Sequence, residues 1–389
     1  MKKILFVTDE INYGPSGVVT VIKEKINYFK KKKYKVFVLC NSIHWYKKNF
    51  SSLVGKNTIS PNFLLSDEIK FLLPNSNKFI KFCLRFFLFM PLFFYNFFTA
   101  LYLFIVIKKL NPEIIFNHNG GWIGGELNRI VLFLSFFLKI KKHIYIVHNY
   151  PQKISVLNFF KIKFNNFLII NSACKIITVS NDCKKKLLNY FEFKKKVETV
   201  YNGIKLYKLR KEKKLRKKIN LAFFGKIEKR KGINILIDAL NIQKLPLNTY
   251  IYGNLENNYA KTLVRISKNI KNKILFRNQT NNVKNVLKKI DIVILPSVSN
   301  ESFGMILVEA MRSGKPIICS NFGGMKEVLI NNYNGFFFDS GNPVSLYIQI
   351  KRFLSNKKLI NKFGNNGYKR FLKLFTSEIM CENYQRIIK

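Results

Sequence analysis

The sequence predicts an α/β protein built from two doubly wound parallel sheets. Three observations predict it. The 389 residues suit two or three domains at ~150 residues each. Short runs rich in Val, Ile and Phe alternate with longer segments of helical length, the pattern of βαβ units. Those runs fall into two groups, separated by a stretch too polar to build a core.

In the first group the expected strands are Lys3–Thr8, Lys35–Cys40, Glu113–Asn117, Lys142–His148, Lys175–Ser180 and Glu198–Asn202. In the second they are Asn220–Gly225, Thr249–Gly253, Ile274–Arg277, Asp291–Pro296, Pro316–Ser320 and Gly335–Asp339. Each is nearly continuous in apolar residues, as parallel strands covered on both faces are. Between the groups, Lys205–Lys218 carries nine basic residues and one acidic residue and reads as a solvated linker. The expected organisation is a first domain over 1–203, a basic linker over 204–218, a second domain over 219–371 and a terminal helix over 372–389. That helix carries Tyr384 and Ile387 on its apolar face. No repeat of solenoid period occurs. Ligands bind beyond the carboxyl ends of the strands in such sheets, so two facing domains would hold one ligand across a cleft.

Composition narrows the function classes. Lys+Arg 68 against Asp+Glu 21 gives a net charge of +47. This excludes an acidic solvating protein, and a hydrophobic fraction of 48% excludes a disordered one. The excess charge fits an anionic lipid surface or nucleic acid. It also fits the surplus of Lys, Asn, Ile and Phe that an AT-rich genome supplies, and both origins create the same field. Lysine runs such as Lys30–Lys33, Lys184–Lys186 and Lys194–Lys196 read as solvated faces. No zinc-finger, RNP-type or arginine-rich module is present. The 38 phenylalanines lie in apolar runs and do not alternate with basic residues as a base-stacking platform requires, so no nucleic-acid partner is expected.

Six cysteines without a C-x-x-C pair exclude a disulfide scaffold and a cysteine zinc ribbon, and point to a reducing, cytoplasmic compartment. The apolar run in MKKILFVTDE is too short for the core of a signal peptide. His118, His143 and His148 are not spaced as a helical metal-binding pair, and no D-x-D triplet occurs, so no metal is expected.

Phe86–Ile107 is 22 residues long, has no formal charge, and is flanked by Lys78, Lys81, Arg85, Lys108 and Lys109. It could cross a bilayer of ~30 Å. Crossing would separate the first two strands from the rest and prevent the first sheet from forming. Two readings remain: a buried helix broken at Pro91, or a helix lying in the plane of a membrane surface. Ile130–Phe137 is a second apolar run in the same half.

The chemistry-bearing stretch is LPSVSNESFGMILVEAMRSGKPII, Leu295 to Ile318. Glu301 lies in a loop after a strand, and Ser302-Phe303-Gly304 open a helix carrying Glu309. Free N–H groups and the positive dipole end at a helix start attract phosphate. Gly304 allows close backbone approach. Glu309 lies five residues further on, ~7–8 Å along the axis. The array suits a ligand with hydroxyls at both ends and phosphates between them, as in a nucleotide sugar. An ordinary capped amphipathic helix has the same spacing. Lys226, in Phe224-Gly225-Lys226, and Lys231, in Lys231-Gly232, follow a strand and precede a helix, where two cations can neutralise a departing diphosphate. In so basic a chain, solvated surface lysines fit as well. His148 ends one strand and His118 the one before it; each fits a buried structural histidine equally well.

The second half resembles the group 1 (family 4) retaining glycosyltransferases of GT-B architecture. Glu301 and Glu309 match their E-x7-E motif. Asp291, Pro296-Ser297, Glu309-Ala310-Met311, Gly314-Lys315-Pro316, Gly323-Gly324, Glu327 and Asn334-Gly335 match the surrounding pattern. The resemblance is strong over 219–345 and looser elsewhere. It implies two Rossmann-like domains, with the terminal helix returning to the first. It implies that Glu301 contacts the donor sugar, that Glu309 binds ribose hydroxyls, and that amides around Phe303, Gly304 and Met305 hold the diphosphate. Lys231 matches the family's lysine, whereas Lys226 stands where an arginine is usual and gives up bidentate phosphate contact. Tyr13-Gly14-Pro15-Ser16-Gly17 resembles the glycine-rich loop of the first domain, which places Gly14 and Gly17 near donor and acceptor. His148 matches the histidine beside the donor sugar.

The expected reaction is retaining, metal-independent hexosyl transfer from a nucleoside-diphosphate sugar, with no cofactor. Retaining hydrolases hold two carboxyls ~5 Å apart, with one as nucleophile. Glu301, in the loop, and Glu309, on the helix, are separated by helix geometry and cannot form that pair. The resemblance implies a same-face reaction in which the departing phosphate takes the acceptor's proton. The apolar, basic first half suggests a lipid-linked or cell-surface glycan acceptor of O-antigen, capsule or lipopolysaccharide type, and a bacterial protein peripheral on the inner membrane face. The alternatives are a non-catalytic nucleotide-sugar-binding subunit, a sugar-phosphate synthase, a nucleotide-sugar epimerase and a basic nucleic-acid binder.

Overall fold

The computed structural model describes residues 1–9, 16–41, 44–61, 89–122, 124–151, 156–172, 174–189, 197–207, 216–299 and 301–389. The chain forms two compact units. Unit 1 comprises Met1–Val179, Lys184–Val200 and Tyr384–Lys389; unit 2 comprises Ser180–Cys183 and Tyr201–Asn383. Residues 208–215 of the expected linker lie outside the described residues.

The sheet of unit 1 contains β1 (Lys3–Thr8), β2 (Lys35–Cys40), β3 (Thr58–Ile59), β4 (Ile114–Asn119), β5 (Lys142–Val147), β6 (Cys174–Thr178) and β7 (Val197–Thr199). Its order is β3-β2-β1-β4-β5-β6-β7, parallel throughout. The sheet of unit 2 contains β8 (Ile219–Phe224), β9 (Leu247–Tyr252), β10 (Ile274–Arg277), β11 (Ile292–Leu295), β12 (Ile317–Ser320) and β13 (Gly335–Phe338). Its order is β10-β9-β8-β11-β12-β13, also parallel. This is the expected pair of doubly wound sheets, with strand ends shifted by at most about two residues except at β7, which ends three residues before the expected Asn202. The sequence reading missed β3, whose two residues are too few to show a pattern.

Strand order reverses between β1 and β4 in unit 1 and between β8 and β11 in unit 2. Loops leaving adjacent strands there run in opposite directions and open a crevice. All six residues of β8 are buried, so the crevice has a rigid floor.

Phe89–Leu110 is one continuous helix. Pro91 falls in its first turn, where a missing N–H breaks no helical bond, so the expected break there does not occur. Nor is the helix buried all round. Leu103 and Ile107 join Leu5, Val7, Ile115, Leu127 and Val131 in one core. The opposite stripe of Phe94, Phe97, Phe98, Leu101 and Ile105 is 48–63% exposed. Among the described residues no helix is long and apolar enough to cross a membrane.

The expected helix over 372–389 is two pieces. One helix, Lys358–Leu374, ends and another, Ser377–Ile388, begins. Between them the backbone turns aside to pair with Ile204: Ile204 N–H donates to Phe375 O at 3.0 Å and Ser377 N–H to Ile204 O at 2.9 Å. The Thr376 hydroxyl accepts from Ile379 N–H at 3.3 Å and caps the new helix. Tyr384 is buried as expected, but Ile388 and not Ile387 is the fully covered aliphatic. Within unit 1, Tyr384 carries the Lys25 ammonium 3.5 Å from its ring centroid, and Gln385 accepts from the Tyr28 hydroxyl at 2.7 Å.

Candidate functional site

The switch point of unit 2 gathers most of the expected residues. The loop after β8 carries Lys226 and Lys231, and the loop after β11 carries Glu301. Lys231 Nζ forms an ion pair with Glu301 Oε2, and each side chain is 12% exposed. The Ser297 hydroxyl donates to the same oxygen at 3.1 Å. Gly232 makes this meeting possible. Its φ is +64°, and a Cβ there would lie 1.9 Å from Pro296 O. A backbone bond from Val298 N–H to Arg230 O, 2.9 Å, joins the two loops. Lys226 lies on the same loop and is exposed.

The segment from Glu301 to Gly304 is held on two sides. Glu301 O accepts from Gly324 N–H at 3.0 Å, and Ser302 O accepts from the Ser180 hydroxyl at 2.6 Å. Gly324 sits so close that a Cβ on it would lie 1.8 Å from Ser302 O. Phe303 is buried, with ring centroids 5.8 Å from both Tyr201 and Phe375. Its side chain is core, and any contact it makes with a ligand is through its backbone. Gly304, at φ +83°, caps the helix Met305–Arg312. The N–H groups of that first turn and the dipole form the expected anion-attracting end.

Glu309 lies on this helix and is partly buried. Burial pushes its carboxyl above the usual carboxylate range, and Arg312 pulls the other way. Its carboxylate makes no hydrogen bond among the described residues and has acceptor capacity for sugar hydroxyls.

Sequence reasoning missed two supports. Glu327 accepts from the backbone N–H groups of Asn181 and Asp182, both at 2.8 Å, and from the Tyr201 hydroxyl at 2.9 Å. Burial, with Glu327 beside it, pushes the Tyr201 phenol up to about 12. The signal was Glu327 itself, three residues after Gly323-Gly324, but its partners are distant in sequence. Asp291 accepts from Arg216 at 2.9 Å and from Asn220 N–H at 2.8 Å, tying β11 to the start of β8.

In unit 1, His118 and His148 meet at the ends of β4 and β5. His118 Nδ1 lies 3.0 Å from His148 Nε2, and the rings stack at 14°. Burial first, and Lys25 next, lower both imidazoles, His148 to about 3. Both rings are neutral at neutral pH, and the bond between them carries one proton. His143 is held by Ser135 at 2.6 Å and Asn117 at 3.2 Å and is structural. Gly17 begins the helix Gly17–Lys31, capped by the Ser16 hydroxyl, which accepts from Val18 N–H at 3.1 Å. Gly14 lies outside the described residues. The Asp9 carboxylate, just past β1, accepts from Leu127 N–H at 2.9 Å, and a Cβ on Gly125 would strike it at 2.3 Å. Among the described residues no group of three His, Cys, Asp or Glu could hold a metal ion.

Comparison with known proteins addresses the same regions. A family model described as Glycosyltransferase Family 4 matches residues 15–208, and one described as Glycosyl transferases group 1 matches residues 207–370. An uncharacterized glycosyltransferase of Methanocaldococcus jannaschii is 33% identical over 210 residues, which cover 52% of this chain and 56% of that protein. A second from the same organism is covered over 62% of its length, so the chain spans little more than half of these two relatives. The capsular polysaccharide biosynthesis glycosyltransferase CapH of Staphylococcus aureus is 26% identical over 68% of this chain and 75% of its own. Among solved structures, Anabaena HepE in complex with UDP and glucose superposes with a TM-score of 0.75 at 18% identity, covering 99% of each chain. That likeness shows the GT-B fold.

Proposed function

The chain belongs to the glycosyltransferase family, whose two models together span residues 15–370, and from that premise we propose that it transfers a hexosyl group from a nucleoside-diphosphate sugar to a glycan acceptor with retention of configuration. The observation that carries the proposal is the Lys231–Glu301 pair beside the capped helix start at Gly304, at the switch point of unit 2. Lys231, Lys226 and the amides of Phe303, Gly304 and Met305 hold the diphosphate. Glu301 accepts hydrogen bonds from donor-sugar hydroxyls, and Glu309 from the ribose. Within unit 1, neutral His148 hydrogen-bonds a sugar hydroxyl, its tautomer fixed by His118, and Gly17 opens the first helix.

The bond from the anomeric carbon to the diphosphate oxygen breaks, and a bond to the acceptor oxygen forms on the same face. The acceptor's proton passes to the departing phosphate oxygen. The protein positions the partners and neutralises the leaving group. The lysines supply the charge, so the proposal needs neither metal nor cofactor. HepE binds UDP and UDP-glucose, which makes UDP the first nucleotide to test. The likeness to CapH supports a capsular or similar cell-surface precursor as acceptor, used at the cytoplasmic face of a bacterial membrane. Product analysis by NMR tests the stereochemistry. The expected product keeps the donor's anomeric configuration; an inverted product would contradict the same-face step.

A further inference from the structure

Unit 1 carries an apolar face that no part of the described chain covers. It is built from three helices: Phe89–Leu110, Glu126–Phe137 and Val156–Ile170. The first two share a core through Leu103, Ile107, Leu127 and Val131. The second and third are linked by rings, Phe133 to Phe164 at 6.1 Å and Phe136 to Phe167 at 6.2 Å. The exposed stripe of the first helix is therefore continued by Phe137, Phe160, Phe164 and Phe167, of which Phe160 is 73% exposed. So many exposed phenyl rings on one surface mark an interaction site.

Charge selects the occupant. The only acid on these three helices is Glu126, and it is buried. Lys108 and Lys109 at the end of the first helix, Lys139 just past the second and Lys163 on the third are exposed. Two copies joined through this face would set cation against cation, within a chain of net charge +47. An anionic lipid headgroup neutralises them.

We propose that this three-helix face docks unit 1 on an anionic bilayer surface, its phenyl rings entering the headgroup–acyl boundary and its lysines meeting lipid phosphates. The helices lie in the interface and do not cross it. The docking stands apart from the transferase reading, because it is measured without donor or acceptor.

The test uses the full chain with phosphatidylglycerol and phosphatidylcholine vesicles at low and high salt. Binding should favour phosphatidylglycerol, weaken in high salt and persist there, because apolar insertion is not screened. Phe97→Ser with Phe98→Ser, and separately Phe160→Ser with Phe164→Ser, should each weaken it at least about tenfold. Far-UV circular dichroism checks that these variants fold. Phe98→Trp, which keeps the apolar surface, should be quenched by lipids brominated in the acyl chain. Serine variants that bind like the parent, or a tryptophan that acyl bromines do not quench, would overturn the proposal. A dimer that Phe160→Ser dissociates would assign the face to a second copy and overturn it as well.

Discussion

Gly324→Ala isolates the close approach that fixes the donor loop. Gly324 has φ −65° and ψ −13°, an ordinary helical conformation that alanine adopts without strain. The obstacle is therefore contact alone. The added Cβ would lie 1.8 Å from Ser302 O, 2.4 Å from Ser302 C and 3.0 Å from Phe303 N, all backbone atoms that no rotamer change can clear. Restoring even 3.0 Å to the oxygen needs a shift of 3.0 − 1.8 = 1.2 Å. Ser302 O is also tied to Ser180, and Glu301 O to Gly324 itself, so the shift passes to Glu301 and to the amides before Met305. Misplacement by 1 Å costs about 10²-fold in rate, and overpacking costs about 1–3 kcal/mol. Steady-state nucleotide release and thermal unfolding read the two effects. The expected outcome is kcat lowered about 100-fold with Tm down by about 2–10 °C. A variant with parental kcat and parental Tm would refute the claim that Gly324 positions this loop.

Lys231→Ala removes the cation facing Glu301 and should lower kcat by about 10²–10³-fold, with partial recovery in Lys231→Arg, as read by steady-state turnover. Chelation with EDTA should leave turnover unchanged; loss restored by a divalent ion would contradict leaving-group neutralisation by lysines. His118, His143 and His148 are neutral in the folded chain, with His143 and His148 lowered to about 3, whereas the unfolded chain binds a proton at each below about 6.5. Stability should therefore fall as pH falls through the unfolded imidazole range, by at most about 1.4 kcal/mol per pH unit for each imidazole below about pH 6.5. Urea midpoints between pH 7 and pH 5 measure this, and a flat profile would contradict neutral burial.

The strands were legible because parallel strands covered on both faces must be apolar along their length, as in Ile219–Phe224. The break at Phe375–Ser377 was not, because its cause is pairing with Ile204, far away in sequence. The spacing of Glu301, Gly304 and Glu309 was readable from one helix and its cap. That Lys231 would meet Glu301 depends on two loops from adjacent strands, 70 residues apart, and on Gly232 lying against Pro296. Phe303 shows the limit of reading a motif in one dimension. It lies among the donor-loop residues, yet its ring packs on Tyr201 and Phe375. The run Phe86–Ile107 announced an apolar helix, but only the packing of Leu103 and Ile107 shows which stripe is left open.

The most direct test of the central claim is a panel of UDP-, GDP- and ADP-sugars incubated with the purified chain and scored for nucleotide release, with Glu309→Ala in parallel. The account predicts release from one donor, UDP-linked first, and its loss in the variant. No release, together with no thermal stabilisation by any nucleotide sugar, would contradict a donor site at Lys231, Glu301 and Glu309.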